Sequence, residues 1–309
     1  MRYRILTGAT LAGALLLTGA PASASAIAPT SAGASAGRDA DSVVAPLSGA
    51  AVYAVYDRGY TVSRYGSGWA TLAKVADSPQ FTASPDGRKV AWVTPGGRLR
   101  VREGARVTTV ARGLQGGTPC LSPVWSPDSR RLAYVQAGDS DVLPVRVVGA
   151  GGTKTVGRTR GVCHLAWSPD GRYLAGYAGT TAGVYRLDLR TGRAAKVKGV
   201  RLANHVQSLS PGGRYAVVHA LRPSDPGGDG SWPERFTPTL VDTVTGRRVP
   251  IAVKGRQIGA FHLADGRLVV RVAGRTANTW VVLDRAGRQV QRLTEPAAAR
   301  TQALLNVLP

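Results

Sequence analysis

One short element recurs in this chain at a fixed interval, and no other feature of the sequence restricts the fold as tightly. Ser-Pro-Asp-Gly-Arg stands at 84–88 and again at 168–172. Between them lies Ser126-Pro127-Asp128-Ser129-Arg130, and after them Ser210-Pro211-Gly212-Gly213-Arg214, so successive serines are 42 residues apart. A worn fifth copy, Ala264-Asp265-Gly266-Arg267, arrives 11 residues late. Each copy has the chemistry of a β-turn. Proline presets φ, aspartate accepts from a downstream N–H, and glycine takes the positive φ that follows.

The flanks of each turn are short apolar runs, such as Cys163-His164-Leu165-Ala166-Trp167 before it and Leu132-Ala133-Tyr134-Val135 after it. A second hairpin follows in every repeat, for example Val184–Asp188, Thr191-Gly192-Arg193 and Ala194–Val197. Four short strands in about 40 residues is the content of a propeller blade, and no long 3.6-residue periodicity competes with it. Blades are predicted at 77–112, 118–158, 160–199, 203–253 and 257–294. Residues 51–56, 61–64 and 70–75 read as the last three strands of a blade lacking its first, and Ala303–Val307 is a strand without a blade. Joining the two gives an all-β, six-bladed propeller of four-stranded antiparallel blades. Its ring is closed by the C-terminal strand, leaving no open gap between blades.

These turns and strands resemble the TolB-like, WD-repeat-like bacterial β-propellers, whose signature is a repeated W-S-P-D-G-[RK] followed by an apolar strand. The resemblance covers residues 51–307 and implies architecture more than activity, because such blades serve in translocation systems, in prolyl-peptidase-like enzymes and in other exported proteins. The translocation protein carries an N-terminal α/β domain, for which residues 27–49 are too few, and no stretch remains for a hydrolase domain. The expectation is a propeller without either.

Residues 1–26 read as an export signal. Arg2 and Arg4 precede the apolar run Ile5–Ala20, and Ala24-Ser25-Ala26 is an A-x-A cleavage site. This predicts a secreted or extracytoplasmic protein with no stable membrane insertion once the signal is removed; an uncleaved anchor is the alternative. Residues 27–49, rich in Ala, Ser and Gly, read as a flexible linker, and 50–309 as the propeller. Gly33-Ala34-Ser35-Ala36-Gly37 matches G-x-S-x-G by composition, since neither the strand nor the helix of a nucleophile elbow flanks it. Gly149–Thr155 has the glycines and lysine of a phosphate loop, but in the wrong order, and falls where an outer hairpin turn belongs.

In a propeller the Ser-Pro-Asp-Gly turns share a face with the outer hairpin turns. That face would collect Arg88, Arg130, Arg172, Arg214 and Arg267. The formal net charge of +22, or +20 once Arg2 and Arg4 leave, favours anionic partners. Export and the lack of an aromatic-basic strand platform argue against specific nucleic-acid binding. The opposite face would carry Asp139 and Asp141 in one loop. It would also carry the insertion that holds Asp225, Asp229 and Trp232, a length of loop that suits recognition. Cys163 and His205 share one register, five residues before the turn serine, with Cys120 and His164 one position to either side. All four are predicted at the leading ends of innermost strands near that mouth. Compartment and register favour a Cys120–Cys163 disulfide over free thiols or a Cys/His metal site. The functional reading is a monomeric, exported, non-catalytic module without a cofactor or bound metal, holding an envelope protein or an anionic cell-wall polymer. The alternative is a metal-dependent hydrolase or lyase acting at the channel mouth.

Overall fold

The structure, a computed structural model, describes residues 44–76, 78–228 and 235–309. They form six four-stranded antiparallel sheets. Blade one comprises β1 (Ala51–Tyr56), β2 (Tyr60–Tyr65) and β3 (Trp69–Val75), and blade two β4 (Phe81–Ala83), β5 (Lys89–Val93), β6 (Leu99–Glu103) and β7 (Arg106–Ala111). Blade three comprises β8 (Val124–Trp125), β9 (Leu132–Val135), β10 (Leu143–Gly149) and β11 (Gly152–Thr159). Blade four has β12 (Gly161–Trp167), β13 (Tyr173–Ala178), β14 (Val184–Asp188) and β15 (Arg193–Lys196). Blade five has β16 (Ala203–Leu209), β17 (Tyr215–Ala220), β18 (Thr239–Asp242) and β19 (Arg248–Val249). Blade six has β20 (Gln257–His262), β21 (Leu268–Val272), β22 (Thr279–Leu283) and β23 (Gln289–Thr294). The last strand, β24 (Ala303–Val307), is the innermost strand of blade one and pairs antiparallel with β1, Ala51 opposite Val307.

Burial falls from the axis outward. Every residue of β12 and β13 is buried, whereas every residue of β15 is exposed. The turn explains why the repeat keeps its residues. Ser168 Oγ donates to Asp170 Oδ1 at 2.6 Å and accepts from Tyr173 N at 2.9 Å, while Gly171 takes φ +73° to return the chain. Ser84 and Ser126 make the same contacts to Asp86 and Asp128. Neighbouring turns are tied together. Gly212 N donates to Asp170 Oδ2, and Asp86 N donates to Ser129 Oγ, both at 3.0 Å. Cations cover the repeat tryptophans, Lys89 over Trp125 and Arg131 over Trp167.

Blade six is secured differently. Arg271 and Glu295, both buried, form a two-pronged ion pair at 2.7 and 2.8 Å. Glu295 also accepts from Asn278 Nδ2 and Trp280 Nε1, and Arg271 donates to the carbonyls of Ala299 and Gln302 on the approach to β24. Both carboxylate oxygens accept two hydrogen bonds each and four of the five guanidinium N–H groups donate, the kind of satisfaction under which a buried pair is tolerable.

Three expectations need correction. The linker does not run to Gly49. Leu47 is buried and exchanges two hydrogen bonds with Gln291, and Arg267 donates to Ala45 O, so residues 45–47 are held against blade six. Cys120 is not in a strand but in a short 3-10 segment, Pro119–Leu121. Pro119 and Pro123 lack N–H groups and cannot extend the ladder, leaving only Val124 and Trp125 to pair with β9. Arg267 is buried and held by Asp265 at 2.8 Å, so it is not an open cation of the turn face. The signal at 1–26 lies outside the described residues, as do the linker up to residue 43, Asp229 and Trp232. Among the described residues no helix is long and apolar enough to cross a membrane.

Candidate functional site

The innermost strands enclose a cavity of about 680 Å³. Its walls near the opening come from the turn face, with Pro85, Asp86, Pro127, Asp128, Pro169 and Asp265 around the rim and Arg64 beside it. Below them Phe81, Trp125, Trp167, Phe261 and Leu305 supply apolar surface, and Gln207, His262 and Asn306 supply polar atoms. The opening therefore lies among the repeated turns.

Turn geometry positions the rim carboxylates. The Oδ1 atoms of Asp86 and Asp128 are fixed by their turn serines and by the backbone N–H two residues on. Asp265 is oriented by Arg267. Hydrogen bonds from Ser126 and from Arg130 N, helped by Arg131, outweigh partial burial and hold the Asp128 carboxyl below the usual range. The polar wall groups are also braced between blades. Gln207 Oε1 accepts from Ala260 N, Asn306 Nδ2 donates to Ala83 O, and Ser208 Oγ donates to Ala260 O and accepts from His262 N. Removal from water lowers the His262 pKa to about 4, so the ring is neutral at physiological pH.

His164 and His205 line the far end of the cavity, both buried, with their Nδ1 atoms 2.5 Å apart. Only one hydrogen can occupy that contact, so one ring donates and the other accepts. Burial, with His164 and His219 nearby, pushes the His205 pKa well below its ordinary value. His164 adopts φ +46°, rare for a non-glycine residue, at a bulge in β12. Phe236 stacks on His219 and meets the edge of His205, backing the floor from the other side. Beside this floor, Cys120 and Cys163 are joined by a disulfide with Cα atoms 4.5 Å apart.

The remaining predicted residues do not converge. Asp139 and Asp141 are exposed in the β9–β10 loop on the opposite face, outside the cavity. Asp225, also on that side, is engaged by the backbone and guanidinium of Arg222. Of the turn arginines, Arg172 pairs with Asp188 and Arg214 with Asp242, each at 3.0 Å, while Arg88 and Arg130 are exposed. Among the described residues no group of three or more His, Cys, Asp or Glu side chains is placed to hold a metal ion. The sequence reading missed Asp86, Asp128, Asp265, Gln207 and His262 as cavity residues. Their signal was available, because they sit within three positions of the turn serine, or of Leu263 at the same place in blade six, and so near the turn end of an inner strand.

No protein-family profile matches the chain. Over 76 residues it is 37% identical to the Tol-Pal system protein TolB of Alcanivorax borkumensis, and over 132 residues 31% identical to dipeptidyl-peptidase 5 of Arthroderma otae. These matches cover 24% and 37% of this chain but only 17% of each relative. Among solved structures it is similar to TolB from Acinetobacter baumannii, with TM-score 0.52 and 16% identity over 85% of this chain and 68% of that one. It also resembles a chain of a nidogen/laminin complex, with TM-score 0.50 and 11% identity over 83% of this chain and 96% of that one. The fold is that of the TolB-like propellers.

Proposed function

We propose that this propeller is an exported, non-catalytic binding module that holds a segment of an envelope protein in the central cavity on its turn face. The observation that carries the reading is the cavity itself, an apolar well braced between blades and rimmed by Asp86, Asp128 and Asp265 in a chain that is otherwise strongly basic. Such a well suits a short extended segment that places apolar side chains inside and a cationic group at the rim. One matched relative belongs, by name, to the Tol-Pal system, which supports a binding role.

Thr82, half-buried in the cavity wall, provides the test. Thr82→Trp should fill the well without touching the outer blades. Immobilised wild-type protein is expected to retain a discrete set of proteins from envelope extract, and Thr82→Trp of equal melting temperature should lose them. Equal retention by both proteins would refute binding in the cavity.

A further inference from the structure

The positive charge of this molecule is concentrated away from the cavity. Between residues 143 and 202 there are eleven Lys or Arg and only two carboxylates, Asp170 and Asp188. Both carboxylates are committed. Asp170 accepts from Ser168 Oγ, Arg172 N and Gly212 N, and Asp188 pairs with Arg172 and accepts from Arg190 N. The fold gathers several of the cations at one place. Outer strand β11 packs against β14 and β15 of the next blade. At the contact Gly157 faces Gly192 so closely that a Cβ on Gly157 would lie 2.8 Å from Gly192 O. Arg158 follows Gly157 and Lys154 precedes it by three residues, while Arg193 follows Gly192 and Arg190 precedes it by two, all four exposed. Arg158 donates to Val142 O, and among the described residues none of the four is in a salt bridge.

We propose that this outer rim, at the junction of blades three and four, binds a phosphate-bearing linear polymer of the cell envelope, independently of the cavity. Guanidinium groups pair with phosphate through two parallel N–H donors, which Arg158, Arg190 and Arg193 can supply, and Lys154 adds a point charge; among the described residues none of the four has an acidic partner. The rim fits a polymer better than a bilayer. The large exposed apolar side chains of the described residues, such as Tyr56, Trp69 and Val290, belong to other blades or lie outside them, so nothing at this junction would insert among acyl chains. The turn arginines are poorer candidates, because Arg172, Arg214 and Arg267 already have carboxylate partners.

The test uses the propeller, poly(glycerol phosphate) as the probe, and two charge-reversed variants of equal net charge. One carries Lys154→Glu, Arg158→Glu, Arg190→Glu and Arg193→Glu; the other carries Arg247→Glu, Arg248→Glu, Arg275→Glu and Arg292→Glu on blades five and six. The rim variant should lose at least about tenfold in affinity and the control less than about threefold. The dependence of log K on log salt should flatten in the rim variant by about 0.7–0.9 per lost phosphate contact, taking nucleic-acid backbones as the guide. Equal losses in the two variants would reduce the effect to net charge and overturn the site. Vesicles containing anionic phospholipid and single-stranded DNA are run in parallel. Rim-dependent binding of either, with none of the polymer, would overturn the assignment in favour of that partner. A rim variant with Gln in place of Glu covers the case in which charge reversal prevents folding. Thr82→Trp should leave polymer binding unchanged, so the two sites fail separately.

Discussion

Blades two to five and the arc formed by blades six and one solve the same packing problem with different materials. In the first arc one turn is reused. A serine hydroxyl accepts from a backbone N–H in every copy and, in blades two to four, also donates to an aspartate, and hydrogen bonds tie neighbouring turns to one another. In the second arc the turn has lost its serine, and unique long-range links replace it: the β1–β24 pairing, the Arg271–Glu295 network, and the grip of Gln291 and Arg267 on residues 45–47. Repetition spreads stability over many small equivalent contributions. Closure concentrates it in a few groups, each without a spare.

The largest expected effect follows from that concentration. A chain ending before residue 301 lacks β24, leaving β1 as an unpaired inner edge, and its melting temperature should fall sharply; an unchanged value would show that closure contributes nothing. Next, Glu295→Ala strands a buried guanidinium and should cost about 3–5 kcal/mol in urea denaturation. Joint replacement of Arg271 by Met and Glu295 by Leu should recover much of that loss, because the stranded charge is removed.

Within the repeating arc, the Cys120–Cys163 bridge closes a sequence separation of 43 and should contribute about 4 kcal/mol by chain entropy. Replacing both cysteines with alanine and comparing denaturation midpoints measures it. A smaller effect comes from pH. His205 in the repeating arc and His262 in the closing arc both have lowered pKa values, so below about pH 6.5 the unfolded chain takes up protons that the folded one refuses. Stability should therefore decline as pH falls from 6.5 toward 4, by at most about 3 kcal/mol for His262. His262→Gln should flatten the decline, and a wild-type midpoint independent of pH in this window would contradict it. Smallest of all, Ser168→Ala should cost about 1 kcal/mol, the usual worth of one hydrogen-bonding hydroxyl among several equivalent turns. A loss as large as that of Glu295→Ala would erase the distinction between the arcs.

The two arcs also differ in how far the sequence discloses them. The 42-residue interval makes the blades countable, and the unmatched strands at 51–56 and 303–307 reveal the closure, because period and strand count are local properties. Register together with the expected compartment favoured pairing Cys120 with Cys163, and the two are bridged. The Arg271–Glu295 network could not be read, since its members belong to no motif and meet only once the ring has formed. The cavity was half legible. Cys163 and His205 share one register with His164 one position away, which places both histidines at inner-strand ends, but the side on which the well opens depends on how far each inner strand reaches. Blade three shows why, where two prolines cut the inner strand to two residues.

The β1–β24 pairing also sets an order of events. Its partners lie about 250 residues apart, so the entropy of closing that loop must be met before the contact returns anything. Each of blades two to six can complete its own hairpins from neighbouring sequence, but blade one must wait for β24. A chain that emerges from its N-terminus, as in synthesis, would thus remain an open horseshoe with β1 exposed at one end, and become a ring only when its last strand arrives. A circular permutant that joins 309 to 44 through a short linker and opens an outer hairpin turn would make that pairing local and shorten the interval.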